Sequence, residues 1–268
     1  MKNLNINYLK KLIHNYYLSE NKQLHKDLEQ AIKNRELYLN YQPKINLNTQ
    51  KIEGVEALLR WKKDDKNIPP LLFIEYAEKS GLIQRITYYV LQKAFKDLNN
   101  KVNIAFNIPA TLLTEDFVAT VKKLIKHYKI NTNLITFEIL EHSIIEDFET
   151  AITIINRLKK IGIKISIDDF GTGYSSLLYI KKIQADQVKI DKNFVDNIAN
   201  NEEEEELIKC IINFINDLNF EVVAEGVETQ QQADILKKYN CKTAQGYFYH
   251  KPLSLENLKK ILEVQKDD

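Results

Sequence analysis

The chain has 268 residues, of which 44% are hydrophobic and 28% charged, with only 7 Gly and 5 Pro; this is the composition of a folded globular protein and excludes collagen-like repeats and low-complexity disorder. Lys plus Arg number 38 against 37 Asp plus Glu, a net charge of +1, which supplies no electrostatic footprint for duplex DNA or RNA. A nucleotide ligand, if there is one, is expected to be small and held in a site. Cys210 and Cys241 are too few for a disulfide framework and lack metal-ligand spacing, and Met1 to Tyr17 contains neither a signal-type apolar core nor a spanning run of about 18 apolar residues. A cytoplasmic protein with no membrane segment is expected.

In chain order, Asn7 is placed to cap a short helix with Leu9, Leu12, Ile13, Tyr16 and Tyr17 on one face, broken at Ser19 to Asn21. Residues 1–20 therefore form an expected helical appendage or linker, and residues 21–268 the main domain. A second helix follows with Leu24, Leu28, Ala31 and Ile32 on one face. Eight strands are then predicted: Tyr38 to Ile45, Lys51 to Trp61, Val102 to Ile108, Leu134 to Leu140, Ile163 to Asp168, Gln187 to Asp191, Glu221 to Glu225 and Thr243 to Tyr247. Helical patterns lie between most of them, at Leu71 to Leu98, Leu112 to Tyr128, Thr150 to Ile161, Glu202 to Leu218 and Gln230 to Tyr239. Repeated strand-then-helix units of this number and length predict an α/β fold, a (β/α)8 TIM-like barrel. The stretch Asn46 to Gln50 is too short for a crossover helix, so the barrel is expected to be modified, with its first strand antiparallel to the second.

The carboxylates fall at unusual places. Glu56 interrupts Val55 to Leu59, Glu138 sits inside Thr136 to Leu140, Asp168 and Asp169 end Ile163 to Ile167, and Glu225 ends Val222 to Ala224. Asn107, Lys189 and Gln245 occupy comparable positions on three further strands. Barrel strands end at the active-site mouth, so these groups are expected to converge there. Any one of the acids would equally suit a strand-end charge facing solvent or a surface Lys. Five together, facing Lys189 alone, could not all stay ionised unless divalent cations neutralise them. Oxygen-only ligands point to a hard cation such as Mg²⁺ or Mn²⁺ and away from zinc, and their number suits the two-metal arrangement used for phosphodiester hydrolysis.

Asp168 to Leu177, DDFGTGYSSL, is too sparse for a phosphate loop, and a turn with Ser175 and Ser176 as caps of a helix from Leu177 to Lys182 is the simpler local reading. Arg60, one of four arginines, suits a phosphate oxygen and a structural salt bridge equally well. His142 and His250 are expected to be incidental polar residues, and Glu202 to Glu206 an exposed, dipole-favoured first helical turn.

Glu56-Ala57-Leu58 followed by Leu59-Arg60-Trp61 resembles the signature of the EAL family of cyclic di-GMP phosphodiesterases, and the likeness runs from about Tyr38 to Leu253. Tyr41-Gln42-Pro43, Glu138-Ile139-Leu140-Glu141, Asp168 to Leu177, Val188-Lys189-Ile190-Asp191, Ala224-Glu225-Gly226-Val227-Glu228 and Gln245-Gly246-Tyr247 agree in the same order. The resemblance implies a modified barrel with an antiparallel first strand and Mg²⁺- or Mn²⁺-dependent hydrolysis of cyclic di-GMP to linear pGpG. Ca²⁺, which would bind the same oxygens at longer distance, is expected to inhibit. It implies that Glu56, Asn107, Glu138 and Asp168 hold one metal and Asp168, Asp169 and Glu225 a second. Lys189 would orient the attacking hydroxide and Gln245 assist; Gln42, Leu59, Arg60 and Asp191 would contact substrate; Glu141 and Glu228 would fasten the loop after Asp169. The family pattern departs here at Asn107-Ile108-Pro109 and at Leu140 and His142, with the ligands kept. A homodimer and an upstream sensory or cyclase-like domain are further partners that the resemblance allows. Two other readings stand beside it: a cyclic di-GMP receptor with little turnover, and a barrel lyase with a lysine base, which would require a capping domain for which the chain has no room.

Overall fold

A computed structural model describes residues 23–34, 36–171 and 182–267. The expected appendage at residues 1–20 and the predicted helix from Leu177 to Lys182, apart from its last residue, lie outside the described residues. The chain divides into two compact units. One comprises the described residues up to Leu39 with Leu59–Val90, and the other comprises Asn40–Leu58 with Leu91 onward.

The larger unit is the barrel. Its strands are β1 (Leu37–Asn46), β2 (Ile52–Lys63), β4 (Asn103–Asn107), β5 (Ile135–Leu140), β6 (Lys164–Phe170), β7 (Gln187–Ile190), β8 (Glu221–Ala224) and β9 (Thr243–Ala244), with β3 (Lys66–Ile68) in the smaller unit. From β2 through β4 to β9 every neighbouring pair is parallel, and β1 closes the ring by pairing with both β9 and β2. β1 runs antiparallel to β9, with Ile45 opposite Ala244, and so antiparallel to the whole set, as the short connection predicts. That connection is closed by the Asn46 N–H, which donates 2.9 Å to the Lys51 carbonyl.

The parallel strands are apolar on both faces because helices cover the outside and side chains fill the inside. Phe95 on the helix Ile83–Leu98 meets Phe106 of β4 edge-on at 5.6 Å, and Phe106 in turn meets Phe137 of β5 at 6.2 Å. Gln42, Glu56, Glu138, Asp168 and Lys189, buried polar residues of the strands, belong to the site described below, and Lys44 pairs with one of them.

In the smaller unit, the end of β2 and β3 form a hairpin, with Trp61 opposite Ile68, turned by Asp64 and Asp65 at φ of 47° and 60°. Trp61 is buried, stacks edge-on against Phe73 at 5.4 Å and donates from Nε1 to Glu36 at 3.1 Å. The helix at residues 23–34 buries Leu24, Leu28 and Ala31 as its spacing predicts, and Asp27 pairs with Lys63.

Two expectations are corrected, and further elements were not foreseen. The predicted helix Leu71 to Leu98 is two helices, Pro70–Ser80 and Ile83–Leu98, because Gly81 adopts φ 76° and its N–H turns back to the Glu78 carbonyl. The strand predicted over Thr243 to Tyr247 ends at Ala244, where the chain turns across Val227: the Val227 N–H donates to the Gln245 carbonyl at 3.2 Å. The short helix Glu141–Glu146, the strand β3 and the helix Leu255–Asp267 were not predicted. At Gly246 the close approach leaves no room for a side chain, since an added Cβ would lie 2.0 Å from the Val227 carbonyl oxygen. Gly246→Ala is therefore expected to cost about 3 kcal/mol, read as a lower denaturant midpoint with an unchanged slope; an unaltered midpoint would show that the turn can open freely.

Candidate active site

The C-terminal halves of the parallel strands carry the predicted groups to one place. Lys189 of β7 is fully buried, and its Nζ stands 2.8 Å from Glu225 Oε1, 2.9 Å from Asp168 Oδ1, 3.0 Å from Glu138 Oε2 and 3.8 Å from Glu56 Oε2. Three strands, with the residue that follows β8, thus deliver four carboxylates to one ammonium. Glu56 is fixed by two amides: Asn107 Nδ2 donates to its Oε1 and Gln245 Nε2 to its Oε2, each at 2.7 Å. Gln42, Glu56, Asn107, Asp168, Lys189, Glu225 and Gln245 line a cleft of about 430 Å³.

Consecutive residues of a regular strand face opposite sides, so Asp168 and Asp169 would not ordinarily share a site. Here the register of β6 against β7 shifts between Ile167 and Phe170, and Asp169 sits at φ 55°. The bulge turns the second carboxylate back. Asp168, Asp169 and Glu225 each bring an oxygen within 4.8 Å of the others, a grouping able to hold a metal ion.

The electrostatics are those of an anion surplus. Burial and the nearby Glu138 and Glu56 push Asp168 up to about 6 despite Lys189, and burial with Asp168 and Glu56 pushes Glu225 up to about 7. Asp169 is also raised, by burial and by Asp191. Glu138 goes the other way: burial would raise it, but Lys189 and Lys44 hold it at about 2. The same acids raise Lys189 well above the ordinary lysine value in spite of its burial. Five carboxylates face two ammonium groups, the ligating atoms are all oxygens, and the buried Gln245 Oε1 has no hydrogen-bond partner among the described residues. That donor set fits a hard divalent cation.

The remaining predicted residues fall as follows. Gln42 is buried and donates to the His250 carbonyl at 3.3 Å. Leu59 and Arg60 belong to the smaller unit, where the guanidinium donates 2.8 Å to the Leu59 carbonyl. Asp191 caps the short turn that follows β7, accepting from the Asn193 N–H at 2.9 Å. Glu141 is buried and accepts from the Gly171 N–H at 3.2 Å, at the start of the loop it was expected to fasten; residues 172–176 of that loop lie outside the described residues. Glu228 pairs with Lys192 at 2.6 Å. Lys44, Lys192 and Tyr247 were not singled out from the sequence. Lys192 and Tyr247 line the cleft, and Lys44 pairs with Glu138. For Lys44 the available signal was its place two residues after Gln42, on the same face of β1. Glu141→Ala is expected to lower turnover by roughly tenfold to a hundredfold through displacement of Asp169, with the fold intact by circular dichroism. Full activity in that variant would make Glu141 an ordinary strand-end charge.

A barrel whose strand ends converge on a cluster of carboxylates able to hold a cation defines the class. The chain belongs to the EAL domain family, whose model matches residues 25–252. It is 36% identical over 248 residues to the bifunctional diguanylate cyclase/cyclic di-GMP phosphodiesterase MucR of Pseudomonas aeruginosa, covering 89% of this chain and 36% of that one. It is 34% identical over 247 residues to the probable cyclic di-GMP phosphodiesterase PdeB of Escherichia coli, covering 89% and 47%. The chain therefore spans between about a third and a half of the length of these relatives. The solved structure of the PaMucR phosphodiesterase in complex with c-di-GMP matches with a TM-score of 0.82 at 35% identity, over 88% of this chain and 99% of that one. Among the described residues no helix is long and apolar enough to cross a membrane.

Proposed function

We propose that this chain hydrolyses cyclic di-GMP to linear pGpG, using Mg²⁺ or Mn²⁺, two ions per site. The observation that carries the reading is the convergence of Glu56, Glu138, Asp168 and Glu225 on Lys189 from three strands and the residue that follows β8, with Asp169 folded in by the bulge. Glu56, Asn107, Glu138 and Asp168 would hold one ion and Asp168, Asp169 and Glu225 the other. The bound cations supply acidification of water and neutralisation of phosphate charge.

The protein's own contribution is placement. Lys189, an ammonium ringed by carboxylates, acts as a donor and not as a base: it orients the attacking oxygen and offsets the charge that builds on the phosphoryl oxygens. Gln245 holds Glu56 through its amide nitrogen and has its oxygen left for a further donor. Gln42, Leu59, Arg60 and Asp191 are assigned to substrate, with Arg60 as a planar fork for a phosphate. Water adds at phosphorus, one ribose 3′ oxygen leaves with a proton, and the ring opens to a dinucleotide with a terminal 5′ phosphate. Two free cysteines, Cys210 and Cys241, are compatible with a reducing cytoplasm as the place of action.

The test is incubation of the protein with cyclic di-GMP and each cation, with separation of the products. Expected are pGpG with Mg²⁺ or Mn²⁺ and inhibition by Ca²⁺, which binds at about 2.3–2.6 Å where magnesium demands about 2.0–2.1 Å. Tight nucleotide binding without product would instead make the chain a receptor.

A further inference from the structure

Lys44 is out of place by ordinary rules. It sits on β1, the antiparallel strand, is 6% exposed, and its ammonium is directed at Glu138 Oε1. Burying a lysine is costly unless the charge meets a partner, and Glu138 is the partner the structure gives it. It comes from the side opposite the cleft. A second cavity of about 300 Å³, at the N-terminal ends of the parallel strands, is lined by Lys44 with Gly54, Ala105, Thr136, Gln187 and Thr243. Lys44 does not line the cleft that holds Glu56, Asp168 and Lys189.

The two oxygens of Glu138 are consequently divided. Oε1 is taken by Lys44 from the barrel floor, and Oε2 faces Lys189, the ammonium shared with Glu56, Asp168 and Glu225. Asn107, opposite Glu138 in the β4–β5 ladder, is the neighbouring member of the same expected ligand set. We infer that Lys44 is a positioning residue that sets cation selectivity: by occupying Oε1, it leaves Glu138 only Oε2, the oxygen bonded by Lys189 at 3.0 Å, to turn to a cation.

The chemical consequence is specific. Calcium takes six to eight oxygens in a flexible arrangement and can use a carboxylate through one oxygen or both, whereas magnesium requires a near-octahedral set at short distance, which a two-oxygen bite from one carboxylate fits poorly. A Glu138 restricted to one oxygen disfavours the larger ion. The general cationic charge of Lys44 would act on both ions alike, since both carry two charges. Selectivity, and not affinity alone, therefore separates a positioning role from bulk electrostatics.

The inference rests on the proposed metal site, and the experiment distinguishes the two. Binding of Ca²⁺ and of Mg²⁺ is measured by calorimetry, without nucleotide, on the wild-type chain, on Lys44→Met and on the milder Lys44→Gln, with thermal melts as the check of folding. In either variant the ratio of calcium to magnesium affinity is expected to rise roughly tenfold, the lower end of effects seen when residues supporting a metal ligand are removed. If Lys44→Met does not fold, Lys44→Gln carries the test alone. A ratio that stays at the wild-type value while both affinities shift together would overturn the role of Lys44 and leave the metal site standing. No cation binding to the wild-type chain would overturn both.

Discussion

Lys189→Met is expected to abolish measurable hydrolysis, a fall of about 10³-fold or more, since it removes the donor at the centre of the acid cluster. The metal-free variant should also lose roughly 3–5 kcal/mol, because a buried ion pair broken on one side leaves its partners uncompensated. Added cation should recover most of that loss, as any ligand of the native state does. The effect has a pH signature in the metal-free wild type as well. Asp168 and Glu225 titrate at about 6 and about 7 in the native state, above their ordinary values, so the native state holds protons that the unfolded chain gives up near pH 4. Stability should then decline as pH rises from about 4 through 7, and cation should flatten the decline. Melts with chelator and with Mn²⁺ across that range check both statements. A flat metal-free profile would mean that the acids are not crowded.

Asp168→Asn is expected to have the second-largest effect on turnover and the opposite effect on stability. Asp168 lies where the two proposed cation positions would meet, so loss of its charge should lower turnover by about 10³-fold and reduce metal stoichiometry. The amide keeps the shape and can still accept the Asp169 N–H, which now donates 3.0 Å to Oδ1. One of the mutually repelling carboxylates disappears, so the metal-free variant should melt no lower than wild type. A variant with two ions bound and ordinary rates would remove Asp168 from the chemistry.

The strands and the acids that interrupt them were legible in the sequence because a charge inside a long apolar run has few innocent explanations. Glu56, Glu138, Asp168, Lys189 and Glu225 were found that way, and the structure brings all five together. The antiparallel first strand followed from the length of one connection. What was not legible depends on geometry that leaves no mark on hydropathy. Nothing in Asp168-Asp169 announces a bulge. Lys44 in a half-polar first strand looks like an edge charge until the ring closes on it. The break at Gly81 is a single residue inside an otherwise continuous amphipathic pattern, and β3 is only three residues long behind a turn of two aspartates.

The seam between the first and last strands has a consequence for how the molecule comes to exist. The bond from Gln245 to Glu56 joins residues 189 apart in sequence, and β1 meets β9 only when the ring is complete. Contacts of such separation form late, after the entropy of closing the intervening chain has been overcome. During synthesis the Glu56 carboxylate has no Gln245 to hold it until β9 has left the ribosome. Cation affinity at the proposed site is therefore expected only of the finished ring, and metal uptake during refolding should coincide with the last phase of closure and not with the first appearance of helix.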